Sequence, residues 1–307
     1  MANRGLKWML VATLAALGCG CRGPSGVTNT RVTPATARPV AKQATKEELL
    51  DKYNAMAEGV KTLNATVQLK LTAGSQYSGV IQEYHEVKAF LLAKRPEEIR
   101  MIGQAPVIGT TVFDMASDGK TFEVWIPSKN KFLTGPVALE RQSEKPVENL
   151  RPQHLLDALL WPPIRKEEAV LFEEYNDESG RYYVLTLLRG GYQMEILRKI
   201  WFDRSNLQVS RLEDFAPKGV LLSDVHFSDW QPLAPVQGNA AATPPNGSVD
   251  QFPRAIRIDR PKDDYHLDLQ VTKVSLNEDL PTDRFALEQP AGAETVRVGD
   301  ENGRRQQ

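Results

Sequence analysis

The sequence predicts a mainly β protein of the α+β class, built on one strongly curved antiparallel sheet whose concave side is partly plugged by helices. Three observations lead there. About a dozen segments alternate apolar and polar residues with the period of two that marks a strand buried on one face. Only two or three segments carry the 3–4 spacing of a helix, too few to cover both faces of such a sheet. A sheet of that many strands must curl or split, because a flat one leaves a naked edge and an exposed apolar face.

The elements follow in order. Thr45 and Glu48 form a capping-box pattern, and Leu49, Tyr53, Met56 and Val60 recur along one helical face. The period then changes to two, with Leu63, Ala65, Val67, Leu69 and Leu71 alternating with polar neighbours. Strand-like runs cover 79–94, 97–103, 108–117, 120–127 and 131–134, and Ser117-Asp118-Gly119 supplies a tight turn between two of them. Pro152 opens a short helix carrying Leu155, Leu156, Leu159 and Leu160, which Pro162-Pro163 ends. Strands resume at 168–175, 181–189, 193–203, 206–215, 219–230, 252–260 and 264–274. Residues 231–251, rich in Pro, Ala, Gly and Asn, read as a flexible insertion within one domain spanning 45–288. Residues 289–307 lack periodicity and are expected to be disordered.

The amino end is different in kind. Residues 1–44 hold six basic residues and no acidic one, which leaves −7 for the remainder of a chain whose net charge is −1. Arg4 and Lys7 precede an apolar run from Trp8 to Leu17, the plan of a secretory signal and too short to span a bilayer comfortably. Ala16-Leu17-Gly18-Cys19 resembles the cleavage box of bacterial lipoprotein signals, with Ala16 where Leu is usual. That resemblance implies a signal over 1–18 and a lipid on the Cys19 thiol; Cys21 is a second candidate, and an ordinary cleaved signal is the alternative. Residues 19–44 then form a flexible basic tether carrying Arg22, Arg31, Arg38 and Lys42, and the lipid would be the membrane anchor.

Chemistry is scarce. There is no G-x-S-x-G elbow, phosphate loop, H-E-x-x-H or C-x-x-C, so no enzyme, cofactor or metal site is predicted. A near-zero net charge also argues against nucleic acid. Asp224 and His226 share a strand face, as do Glu83 and His85, and these read as solvated surface opposite apolar Val225 and Phe227. His154 has no identifiable partner, and Arg260-Pro261-Lys262-Asp263-Asp264 reads as a polar hairpin tip. What stands out is an apolar loop, Gly103-Gln104-Ala105-Pro106-Val107-Ile108-Gly109, where turn chemistry calls for polar residues. Val107 and Ile108 either tuck into the core or project as an apolar tip; from the residues alone, tucking is expected.

The order of these features resembles the LolA/LolB group of bacterial envelope proteins: opening helix, Leu63–Leu71 strand, Arg95-Pro96 with Ile99-Arg100, apolar loop, Leu-rich helix ending in Pro162-Pro163, and late strand pair. Across 45–288 that implies a half-open β-barrel with a helical lid over an apolar cavity. With a lipid anchor the chain is similar to LolB, whose projecting apolar residue in a Pro-Leu-Gly loop helps insert lipidated proteins into the outer membrane. The matching stretch here, Pro106-Val107-Ile108-Gly109, is one residue longer and β-branched. The resemblance implies a protein on the periplasmic face of the outer membrane. It would take acyl chains of lipoproteins or lipids from a soluble periplasmic carrier and pass them to the bilayer. Expected cavity-wall positions are Val67, Leu69, Leu71, Leu185, Leu187, Ile200, Phe202, Leu267 and Leu269, around a continuous cavity of, on the order of, several hundred Å³. The alternative is a structural or sensory lipoprotein that binds an envelope protein with the same fold and a filled cavity.

Overall fold

The computed structural model describes residues 39–75, 79–138, 149–178, 180–190, 193–233 and 249–298. The predicted signal, Cys19, the tether up to residue 38 and residues 234–248 of the predicted insertion lie outside the described residues. All the elements below belong to the unit that begins at Ala41.

Helix α1 spans Lys46–Gly59 and starts where the capping box placed it. The Glu48 amide donates to Thr45 Oγ1 at 3.2 Å and the Thr45 amide donates to Glu48 Oε2 at 2.8 Å, satisfying two otherwise orphaned N–H groups. Strands β1 (Thr62–Ser75), β2 (Val80–Glu83), β3 (Val87–Lys94), β4 (Glu98–Gln104), β5 (Thr111–Ser117), β6 (Thr121–Ile126) and β7 (Lys131–Pro136) follow. Helix α2 (Pro152–Leu159) leads to β8 (Ala169–Asn176), β9 (Arg181–Arg189), β10 (Glu195–Asp203) and β11 (Gln208–Ala216). Strands β12 (Val220–Pro232), β13 (Gln251–Arg260), β14 (Tyr265–Leu276) and β15 (Glu294–Arg297) are the last among the described residues.

All fifteen strands form one curved sheet that does not close into a barrel. Its order is β15-β7-β6-β5-β4-β3-β1-β14-β13-β12-β11-β10-β9-β8, with β2 paired to β1 off that path. Pairing is antiparallel except for β15 on β7. The α+β half-barrel with helices on its concave side is therefore what forms. Two expectations need correction. The run 79–94 is two strands, because its ladder to β1 stops at Glu83 and resumes at Val87. Residues 294–297 are not structureless: β15 pairs in register with Lys131–Thr134, and four residues on a sheet edge are too few to show a period in the sequence.

The core lies between the concave face and the two helices. Leu49, Tyr53 and Ala57 of α1, and Leu155, Leu156, Ala158 and Leu159 of α2, share one cluster with the inward residues of β1, β3, β4, β9, β10 and β12 to β14. Leu160, Trp161 and Ile164, just beyond α2, belong to the same cluster.

Candidate functional site

The site begins with the face the strand period dictates. Val67, Leu69, Leu185, Leu187, Ile200, Phe202, Leu267 and Leu269 are all buried in that one core, and Leu71 packs against it partly exposed. The register brings them together across strands: Leu69 faces Leu269, Leu71 faces Leu267, and Ile200 faces Leu185. Among the described residues the two helices pack directly onto this face. Helix side chains fill the concavity: Tyr53 is fully buried and Trp161 stacks on it at 5.4 Å, with Phe227 edge-on at 5.2 Å. A depression of about 230 Å³ opens to solvent at the α1 margin, where Met56, Trp161, Val209 and Trp230 meet Lys52 and Asp250.

Two guanidinium groups hold the helices on the sheet. No basic residue sits in the last turn of α1, so its carbonyls need an outside donor. Arg95 provides it, donating from Nε to Val60 O at 2.8 Å and from Nη2 to Ala57 O at 2.5 Å and Trp161 O at 2.7 Å. One side chain thus ties the end of α1 to the end of α2. Arg198 of β10 donates to Tyr53 Oη at 3.2 Å while Asp214 holds its other side at 2.6 Å. The Tyr53 hydroxyl in turn donates to Pro162 O at 2.9 Å, and burial pushes its pKa up to about 12. Asn54 closes the set, donating to Ile164 O at 3.0 Å and accepting from the Ile164 amide at 2.8 Å. These hydrogen bonds join the apolar packing of both helices in holding the cover on the sheet.

The apolar loop projects. Val107 is 94% exposed and Ile108 74%, so the expectation of tucking is overturned. The backbone explains it: the Ala105 amide donates to Thr110 O at 2.9 Å and the Gly109 amide to Ala105 O at 3.0 Å, closing a tight loop too short to fold back. Gly109 has φ +66°, a left-handed value that glycine adopts without strain. At the base, the Phe113 ring lies over Gly103, occupying the space a β-carbon would take. Pro106, Val107 and Ile108 therefore stand on a braced support.

No protein-family model matches the sequence, and no curated protein does either. Among solved structures the chain is similar to a LolA superfamily protein from Nitrosomonas europaea at 15% identity and a TM-score of 0.46, covering 80% of this chain and 99% of that one. A DUF1329 family protein from Desulfovibrio piger shows 12% identity and a TM-score of 0.46, with 77% and 94% covered. An outer membrane lipoprotein-sorting protein domain described as putative, from Vibrio parahaemolyticus, shows 10% identity and a TM-score of 0.44, with 78% and 94% covered.

The remaining polar residues sort into structural roles. Asp224 is clamped by Arg211 at 2.6 Å and lies 3.2 Å from His226 Nε2. Burial opposes its ionisation, but Arg211 and His226 outweigh that and hold its pKa down at about 2. Glu83 pairs with Lys70 at 2.9 Å. Among the described residues no group of three or more His, Cys, Asp or Glu side chains is placed to hold a metal. The hairpin tip Arg260–Asp264 is not simply solvated. Arg260 reaches buried Asp263 at 2.7 Å and His154 Nε2 at 3.1 Å, while His154 Nδ1 meets the Tyr265 hydroxyl. This network pins the first turn of α2 to β13 and β14 across more than a hundred residues, so no local pattern announces it.

Proposed function

We propose that this chain is a lipid-anchored envelope protein that touches the bilayer through Val107 and Ile108 and receives acyl chains of lipoproteins or lipids between its helices and sheet. The observation that carries the reading is the braced apolar tip. Two adjacent β-branched side chains held in water lose about 1.5–3 kcal/mol each relative to burial, a standing cost that a bilayer surface removes. The concave face supports the second half: apart from the Arg198–Asp214 pair its side chains in the core cluster are apolar, and its cover is held by packing together with a handful of hydrogen bonds. Acyl chains would enter at the Met56–Trp230 depression as the helices lift, and each buried CH₂ would contribute about 0.8 kcal/mol. A soluble periplasmic carrier would supply them, and the outer membrane would take them.

The filled concavity favours a second reading, a structural or sensory lipoprotein that binds an envelope protein and carries no lipid. One experiment separates them. The mature chain with Cys19→Ser and Cys21→Ser is purified from an envelope fraction, analysed by mass spectrometry for retained acyl species, and floated with liposomes beside V107D/I108D. Retained acyl chains, together with flotation that falls at least tenfold in the variant, support lipid transfer. No retained lipid with equal flotation rejects it.

A further inference from the structure

The sheet has two ends, and they differ. At one, β15 is four residues long. At the other, β8 runs for eight residues, pairs only with β9 among the described residues, and carries neither Pro nor Lys. Those are two of the devices that usually blunt an edge. Instead Leu171 is 53% exposed, Phe172 40% and Tyr175 45%. Phe172 leans on Tyr183 and Tyr175 on Trp201, so the strand's apolar side chains are held in place on both faces.

Its charge is one-sided. Residues 167–178 contain Glu167, Glu168, Glu173, Glu174, Asp177 and Glu178 and no basic residue. The fold already answers part of this with cations. Lys46 Nζ donates to the Val170 carbonyl at 2.7 Å, Arg204 pairs with Glu174, and the Glu168 and Asp177 carboxylates accept from the Arg165 and Gly180 amides. The first contact also sets the orientation. Val170 O faces away from β9, so by the alternation of an antiparallel strand Phe172 and Glu174 also present their N–H and C=O groups outward.

We propose that β8 is a docking edge for an extended segment of a partner protein in which apolar and basic residues alternate, added as a further antiparallel strand. Main-chain hydrogen bonds would supply affinity, while Phe172, Glu167 and Glu173 would select the segment. A second copy fits poorly, because its own β8 offers no basic residue to meet Glu173 and Glu174. An anionic bilayer is repelled by the same carboxylates. This inference does not rest on the acyl-chain reading.

The test uses the full-length protein and three fluorescent ten-residue peptides. One alternates Lys with Val and Tyr, one has Glu in place of Lys, and one has the first composition interrupted by two prolines. The alternating basic peptide is expected to bind at least tenfold more tightly than either other, and to slow amide exchange at Val170, Phe172 and Glu174. Phe172→Pro, which removes an outward N–H, should weaken binding at least tenfold. Glu167→Lys/Glu173→Lys leaves the backbone edge intact and should transfer the preference to the Glu peptide. Equal binding of the proline-interrupted peptide, binding without protection of those amides, or indifference to the charge reversal would each overturn the proposal.

Discussion

Replacing Arg95 with Met tests whether the helices are a fastened cover or an integral part of the core. Methionine keeps the unbranched stem and its apolar contacts but removes three donated hydrogen bonds, to Ala57, Val60 and Trp161 oxygens at 2.5 to 2.8 Å. A hydrogen bond from a charged group contributes about 1.5–3 kcal/mol net. The three share one guanidinium, and the freed carbonyls at the helix ends regain some water, so their effects do not add. A loss of about 2–4 kcal/mol follows, felt first where α1 and α2 end. Since about 1.4 kcal/mol is tenfold, local opening of α1 should become roughly 30- to 700-fold more frequent. Amide exchange read residue by residue is the assay, with urea unfolding for the global value. Amides of Met56 to Gly59 should accelerate far more than those of Leu185 and Leu267 in the sheet. If stability falls by under about 0.5 kcal/mol and α1 exchange is unchanged, the fastening argument is wrong.

Further outcomes follow from the same geometry. Trp161→Ala removes a ring packed against Tyr53, Phe227 and Trp230 and should cost about 3–5 kcal/mol in urea unfolding; a loss below about 1 kcal/mol would mean the helices do not depend on it. Gly109→Ala meets no neighbouring atom but must hold φ +66°, so a penalty of about 1–2 kcal/mol is expected from strain alone, and Gly109→Asn should recover part of it. Burial, then the charges of Arg260 and Arg151, hold the His154 pKa well below the usual 6.5. The unfolded chain therefore takes up the proton first, so this group's contribution is intact above about pH 6.5 and is lost as pH falls below it, by up to about 1.4 kcal/mol per unit. Urea midpoints at pH 7.5, 6.5 and 5.5 for the wild type and His154→Gln give the slope by difference; identical slopes would exclude His154 as its source.

Much of this was legible because it is local. The capping box at Thr45 and Glu48 needs four residues, and the alternation of Leu63 to Leu71 survives a bulge because the extra residue, Thr272, lies on the partner strand β14. That Val67, Leu69, Leu185, Leu187, Ile200, Phe202, Leu267 and Leu269 share one buried face was readable for the same reason: period two places them there wherever the strand pairs. Whether that face encloses space is set by what the helices bring, and Tyr53 and Trp161 meet from positions far apart in the chain. The fate of Val107 and Ile108 was hidden because hydrophobicity says that they should be buried, while two backbone hydrogen bonds decide that they are not. His154 reads as alone in the sequence, since its partners lie 106 and 111 residues away.

The pairing of β1 with β14 carries a consequence for how the molecule is made. Leu63 meets Leu276, so the central seam of the sheet joins two segments separated by nearly the whole described domain. A chain synthesised from its amino end can assemble β1, β3, β4 and β5 early, each beside its neighbour in sequence. The bonding edge of β1 then waits for the last long strand to arrive. Contacts of such separation are slow to form, and the waiting edge is open to any other strand. Misassembly should start at Leu63–Ala73, and the time between the first and last strands emerging is the interval in which this protein most needs protection.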